Sequence, residues 1–223
     1  MNPLKKLPFW RRYTTKQNAT WWTHRKIDWV KGYLETWNHP HRGVLAYYCS
    51  TVPWQSMIEV GCASGPNLFH FAKSFPGRDI GGVDVNPDAI ALARQVLEIA
   101  RPNMPSNIAY AEVGTGDKLF LGDKCTDLIL TDSTLIYVGP LKIKSYLREF
   151  KRVARKNVVL YEFYSPSFWK RLTMPLSGYW AHNYKRLLKQ VGFDDIRIIK
   201  LPKEAWPESE NHQLYGHIII ANV

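Results

Sequence analysis

The residues Glu59-Val60-Gly61-Cys62-Ala63-Ser64-Gly65-Pro66-Asn67 close a short apolar run with two glycines four positions apart. Such glycines permit a tight turn and let backbone approach a ligand closely. Asp84 follows Gly65 by nineteen residues, at the end of a second apolar run. A carboxylate there can accept hydrogen bonds from both hydroxyls of a ribose. Two cofactor classes use this layout. A dinucleotide requires G-x-G-x-x-G, with its pyrophosphate on free amides at a helix start. Here the second and third glycine positions hold Ala63 and Pro66. Proline lacks the N–H that a pyrophosphate would use. The pattern therefore suits a ribose and an amino-acid moiety without phosphates. Cys49, Cys62 and Cys125 are odd in number and widely spaced, which fits neither a disulfide framework nor a zinc site. His39-Pro40-His41 and the other histidines lack metal-ligand spacing as well, so no metal is expected. A reducing, cytoplasmic setting is the default.

Regular elements position these residues. Apolar runs predict strands over 56–62, 79–85, 107–113, 126–132 and 157–163. Helical spacing predicts helices over 66–73, 87–100, 142–154 and 183–191. Asn86 and Pro87 form a helix start, and Gly192 a helix stop. The last two strands, over 195–201 and 217–223, are joined by a loop with Pro202, Pro207 and few helix formers. They read as an antiparallel pair at a sheet edge. The expected fold is α/β: a doubly wound, seven-stranded, mostly parallel sheet with its last strand antiparallel. Residues 53–223 would form that domain, and residues 1–52 a helical lid. Trp22, Trp29, Tyr33 and Trp37 follow one another at helical spacing and read as one stripe of that lid.

The stretch E-V-G-C-A-S-G resembles the first motif of the class I S-adenosylmethionine-dependent methyltransferases, commonly written E-x-G-x-G-x-G. V-D-V-N-P around Asp84 resembles their second motif. Asp127–Asp132 with the following S-T-L-I-Y-V, and R-E-F-K-R-V-A-R-K-N-V-V-L-Y-E-F, are similar to their later segments. The resemblance spans about residues 55–223, with Ala63 departing from the middle glycine. It implies that S-adenosylmethionine is the cofactor and S-adenosylhomocysteine the product. Gly61, Cys62, Ala63, Ser64 and Gly65 would wrap the methionine part. Glu59 would fix that loop or reach the amino group. Asp84 would hold the ribose, and Val85 would pack on the adenine, bordered by Gly114 and Thr115. Thr131, Asp132, Ser133 and Ile136 would line the methyl-donor side. Asn67 would help close the pocket, and Arg42 or Tyr13 would meet the methionine carboxylate.

Methyl transfer is an in-line displacement whose leaving group departs neutral, so alignment and exclusion of water dominate. A base is needed where the acceptor carries a high-pKa proton. His182 with Tyr184 in the A-H-N-Y run is the sharpest candidate, followed by Glu162 and Asp132. Tyr137 and Tyr161 could orient an acceptor.

The 223 residues carry a net charge of +11, unevenly spread. Residues 1–50 hold +7, residues 51–135 hold −4, residues 136–156 hold +6 and residues 157–223 hold +2. That pattern fits an anionic partner. One reading is transfer to an O or N atom of a small, sugar-like or lipid-headgroup acceptor, anionic by this charge argument. The alternative is RNA or another nucleic acid, although T-D-S-T stands where N-P-P-Y would mark an amino-methylating enzyme. A cofactor-binding, non-catalytic subunit is a third class. No apolar run reaches 18 residues, so no membrane span is expected. Pro8, Arg11 and Arg12 interrupt the place of a signal peptide's apolar stretch. The sequence leaves oligomeric state open.

Overall fold

The computed structural model describes residues 20–100 and 107–223. Tyr13 and the basic and aromatic residues of the first nineteen positions lie outside the described residues. The chain runs through α1 (Ile27–Leu34), α2 (Pro40–Ser50), β1 (Ser56–Val60), α3 (Pro66–Ser74), β2 (Asp79–Asp84) and α4 (Pro87–Ala100). It continues with β3 (Asn107–Val113), β4 (Thr126–Asp132), α5 (Ile143–Val153), β5 (Ala154–Phe163) and α6 (Phe168–Thr173). It ends with α7 (Tyr184–Val191), β6 (Asp194–Lys200), α8 (Glu210–Tyr215) and β7 (Gly216–Asn222). The strands form one sheet in the order β3-β2-β1-β4-β5-β7-β6. β1 to β5 are parallel, and β7 lies antiparallel between β5 and β6.

Helices cover both faces, as near-continuous apolar strands require. On one face, Leu45 and Cys49 of α2, Phe71 of α3 and Ile90 and Ala93 of α4 pack with Met57, Leu128 and Val159 of the sheet. On the other, α5 buries Ile143, Tyr146, Leu147, Phe150 and Val153 beside Leu188 of α7. Each such side chain contributes roughly 1.5–3 kcal/mol. The helix ends are capped, at Asn86 and Gly192 as expected and at Asn183, the first residue of the expected helix. Asn86 Oδ1 accepts from Ala89 N at 3.0 Å, Asn183 Oδ1 accepts from Arg186 N at 3.1 Å, and Gly192 ends α7 at φ 91°.

Two local expectations need correction. The loop after β6 contains α8, with Ser209 at its N-cap position and its hydroxyl turned to His212 Nδ1. The aromatic stripe is not one helix either. Residues 20–23 are helical, Lys26 is extended, and α1 begins at Ile27. The break still brings Trp22 against Trp29 at 5.2 Å, and Trp29 stacks on Tyr33 at 5.1 Å. Trp37 leaves this group, lies 40% exposed, and sits under Lys73.

The basic 142–156 block is largely taken up locally. Lys142 meets Asp117, Arg152 meets Asp123 and Glu149, and Arg155 and Lys156 meet Asp127. Arg155 and Lys156 open β5, at the sheet edge opposite the strands' carboxyl ends.

Candidate active site

β1 has β2 on one side and β4 on the other, so the chain reverses its winding there. Beyond the carboxyl ends of these strands lies a cavity of about 460 Å³. In an open α/β sheet this is where ligands bind.

The turn after β1 forms its floor. Gly61 has φ 82°, and a Cβ there would fall 2.0 Å from Thr134 Oγ1. Glycine is required at this close approach. Ala63 also occupies the left-handed region, at φ 48°, at a cost of about 1 kcal/mol for a side-chain-bearing residue. Its N–H donates to Asp84 Oδ2 at 2.9 Å, while Asn86 N donates to Asp84 Oδ1 at 2.8 Å. The carboxylate is thus held at the cavity wall. Burial raises its pKa, and these amides oppose the rise.

Behind the turn lies a buried polar cluster. Asp132 Oδ2 accepts from His41 Nε2 at 2.9 Å, Asn67 Nδ2 at 2.9 Å and Arg42 at 3.3 Å. Asn67 also accepts from Arg42 at 2.6 Å and donates to Glu59 Oε1 at 2.6 Å. Arg42 spends its remaining donors on Thr36 and on the Tyr33 hydroxyl. His41 contacts His39, and His39 contacts Glu208. Burial alone would raise the Asp132 pKa, but His41, Arg42 and Asn67 hold it well below the usual carboxylate range. Burial pushes Glu59 up to about 8, and its Oε2 is buried without a partner.

The segment after β4 forms the adjoining wall. Glu162, fully buried, accepts from Thr134 N at 3.1 Å and Ile136 N at 3.0 Å. Burial raises its pKa from an ordinary 4.5 to about 8. Its folded-state pKa therefore exceeds its unfolded one. The stability it contributes is fully present below pH 4.5 and is lost as pH rises through about 8. Glu162→Gln should flatten this part of the stability profile, as read by urea unfolding between pH 5 and 9. An unchanged slope would show that Glu162 titrates normally.

Aromatic side chains roof the cavity from two directions. Trp21, Trp22, Trp29 and Tyr33 come from the N-terminal segment, and Trp206 and His212 from the β6–β7 connection. Ser64 Oγ donates to Val30 O at 2.9 Å and Asn86 Nδ2 to Trp22 O at 2.9 Å, tying the first group to the floor. His212 stacks on Trp206 at 3.9 Å. Its Nδ1 meets Ser209 Oγ at 2.7 Å and its Nε2 meets Ser133 Oγ at 3.4 Å. Burial lowers its pKa to about 4, leaving a neutral imidazole at the cavity wall.

Among the expected residues, Gly61, Ala63, Asp84, Val85, Gly114, Asp132, Ser133, Ile136 and Tyr137 border the cavity. The others stand elsewhere. Cys62 fills the space over Gly82, where a Cβ would lie 2.6 Å from its Sγ. Ser64 bonds the roof, and Gly65, at φ 83°, caps α3. Glu59, Asn67 and Arg42 form the cluster behind the wall. Thr131 is fully buried in β4, and Thr115 is exposed, with Gly116 lining the cavity in its place.

The acceptor-side candidates are redistributed as well. His182 is 4% exposed, and its Nε2 donates to the Val138 carbonyl at 2.8 Å. Burial lowers its pKa to about 4. It bolts the wall from behind rather than facing the cavity. Tyr184 is fully buried in the α5–α7 core, and Tyr161 is buried in the core against α2. Glu162 is a brace. Sequence reasoning missed His212, Trp206 and Tyr179, because only the chain's return from β6 to β7 carries the first two to the cavity.

A methyltransferase-domain family model matches residues 54–203. The chain belongs to the class I S-adenosylmethionine-dependent methyltransferases. No curated protein matches by sequence. Among solved structures, an O-methyltransferase candidate from Nostoc punctiforme PCC 73102 is similar at 15% identity and TM-score 0.66. The match covers 88% of this chain but only 59% of that one. Geranyl diphosphate C-methyltransferase from Streptomyces coelicolor A3(2), solved with S-adenosylhomocysteine, is similar at 13% identity and TM-score 0.58, covering 76% of this chain and 70% of that one. A Haemonchus contortus phosphoethanolamine N-methyltransferase, also solved with S-adenosylhomocysteine, has 13% identity and TM-score 0.58, covering 76% of this chain and 49% of that one. At these identities the structures share the methyltransferase fold. No helix among the described residues is long and apolar enough to cross a membrane.

Proposed function

We propose that this methyltransferase alkylates an O or N atom of a small acceptor held in the aromatic-roofed cavity. The carrying observation is that the Asp84 wall and the His212 wall belong to one cavity. The residues present fit the cofactor. Asp84, fixed by two amides, retains lone pairs for ribose hydroxyls. Gly61 and Ala63 offer close-approaching backbone for the methionine part, and Val85, Gly114 and Gly116 offer a slot for the adenine. When bound, the cofactor supplies a sulfonium methyl group as electrophile.

The remaining work belongs to the chain. Trp22, Tyr137 and Tyr179 form an aromatic wall, with Trp22–Tyr137 centroids 4.8 Å apart and Tyr137–Tyr179 5.7 Å apart. This wall excludes water and orients the acceptor. His212 takes the acceptor's proton. Its Nδ1 is held by Ser209, and its long contact to Ser133 lets an acceptor hydroxyl compete for Nε2. Incubation of the protein and S-adenosylmethionine with panels of hydroxyl- and amine-bearing small molecules tests this. Acceptor-dependent formation of S-adenosylhomocysteine is expected, falling on the order of 10²-fold in His212→Gln. Salt-sensitive methylation of RNA with no active small acceptor would favour the nucleic-acid reading instead.

A further inference from the structure

The roof carries a cation that the reading above leaves without a task. Arg25 borders the cavity, and it is the one arginine or lysine on the lining among the described residues. Its guanidinium lies over three indoles, 4.4 Å from the Trp21 ring centroid, 4.6 Å from Trp29 and 5.5 Å from Trp22. These contacts hold the guanidinium in place without neutralising it. Arg25 forms no ion pair among the described residues. Its Nε is buried without a hydrogen-bond partner, and so is Trp22 Nε1.

Each unpaired buried donor costs about 1–3 kcal/mol, so two such donors lining one cavity call for an acceptor that the described residues do not supply. The cavity's carboxylates form no ion pair with Arg25: Asp84 is oriented by Ala63 and Asn86, and Asp132 by His41, Arg42 and Asn67. Arg42, the other arginine near the site, is buried and fully committed. Burial lowers the Arg25 pKa, opposed by the Tyr137 hydroxyl of the acceptor wall.

Building on the methyltransferase reading, we infer that Arg25 and Trp22 form an anion subsite receiving a carboxylate or phosphate carried by the methyl acceptor. The planar fork of Arg25 suits either oxyanion bidentately. Trp22 Nε1 supplies a neutral donor, and the indoles accommodate the acceptor's apolar part. The acceptor class is an acidic small molecule with its nucleophilic O or N on the Tyr137 and His212 side of the charge.

The test uses the full chain with phenyl phosphate and benzoate as probes, read by calorimetry and tryptophan fluorescence with and without S-adenosylhomocysteine. Saturable binding of at least one probe is expected, weakening as salt rises. Arg25→Gln should lose it by on the order of ten-fold or more, while Arg25→Lys retains part. The stronger probe identifies phosphate or carboxylate. Unchanged probe binding in Arg25→Gln would overturn the subsite. So would an Arg25→Gln loss of S-adenosylhomocysteine affinity that spares 5′-methylthioadenosine, because the anion would then be the cofactor's own carboxylate. If the wild type binds a probe through Arg25 yet never binds S-adenosylhomocysteine, the subsite stands and the assignment of the floor to the cofactor fails.

Discussion

Asp132→Ala should destabilise the protein by about 3–5 kcal/mol, the cost of removing one partner from a buried ion pair. Arg42 is 1% exposed and His41 is 2% exposed. Both direct a donor at Asp132 Oδ2. Without the carboxylate, the guanidinium stays buried with its charge unbalanced, and Asn67 loses one acceptor. Urea unfolding at neutral pH measures the effect. The pH dependence adds a signature. The Asp132 pKa is depressed in the folded state, so its contribution is present above the ordinary 3.8 and is lost as pH falls through the folded value. The gap between wild type and variant should therefore narrow in acid. A difference below about 1 kcal/mol at pH 7 would mean that the cluster behaves as a solvated surface pair.

Deleting residues 1–30 should abolish turnover and loosen cofactor binding by on the order of ten-fold, while the sheet still unfolds cooperatively. The apolar clusters on the two sheet faces draw on no residue before Val44, so they keep their contacts although the buried Val30 is lost. The cavity loses Trp21, Trp22, Arg25 and Trp29, which is most of one roof. Burying those aromatics stabilises the closed roof by roughly 2 kcal/mol each. Without them water enters, and alignment of donor and acceptor is lost. Circular dichroism and S-adenosylhomocysteine calorimetry on the truncated chain check both halves. Retained cofactor affinity with loss of salt-sensitive RNA binding would make residues 1–30 a nucleic-acid arm instead.

The sheet was readable because its strands are short, apolar and punctuated. Asn86-Pro87 and Gly192 mark helix boundaries by local chemistry alone, and the structure places them there. Asp84 was readable for the same reason: a fixed distance from Gly65 puts it at the next strand's end. The acceptor side was not readable. His182 and His212 are both loop-flanking histidines in sequence, and nothing local separates a bolt on the Val138 carbonyl from a ring facing the cavity. Ser133 and His212 meet although they stand 79 positions apart in the chain, through the antiparallel return of β7. His39-Pro40-His41 carries no metal-ligand spacing, and nothing local in the sequence points to another task. Its role is an N-cap followed by a buried partner for Asp132. Ala63 reads as a mild substitution until its left-handed backbone is seen.

Calorimetric titration of the wild type and Asp84→Ala with S-adenosylhomocysteine and with NAD tests the central claim most directly. The wild type should bind S-adenosylhomocysteine and not NAD, because Pro66 removes a helix-start amide. Asp84→Ala should weaken that binding by about 2 kcal/mol, roughly thirty-fold, through loss of charge-assisted hydrogen bonds. Binding of NAD alone, or equal S-adenosylhomocysteine affinity in the two proteins, would contradict the assignment of the cavity floor to the methyl donor.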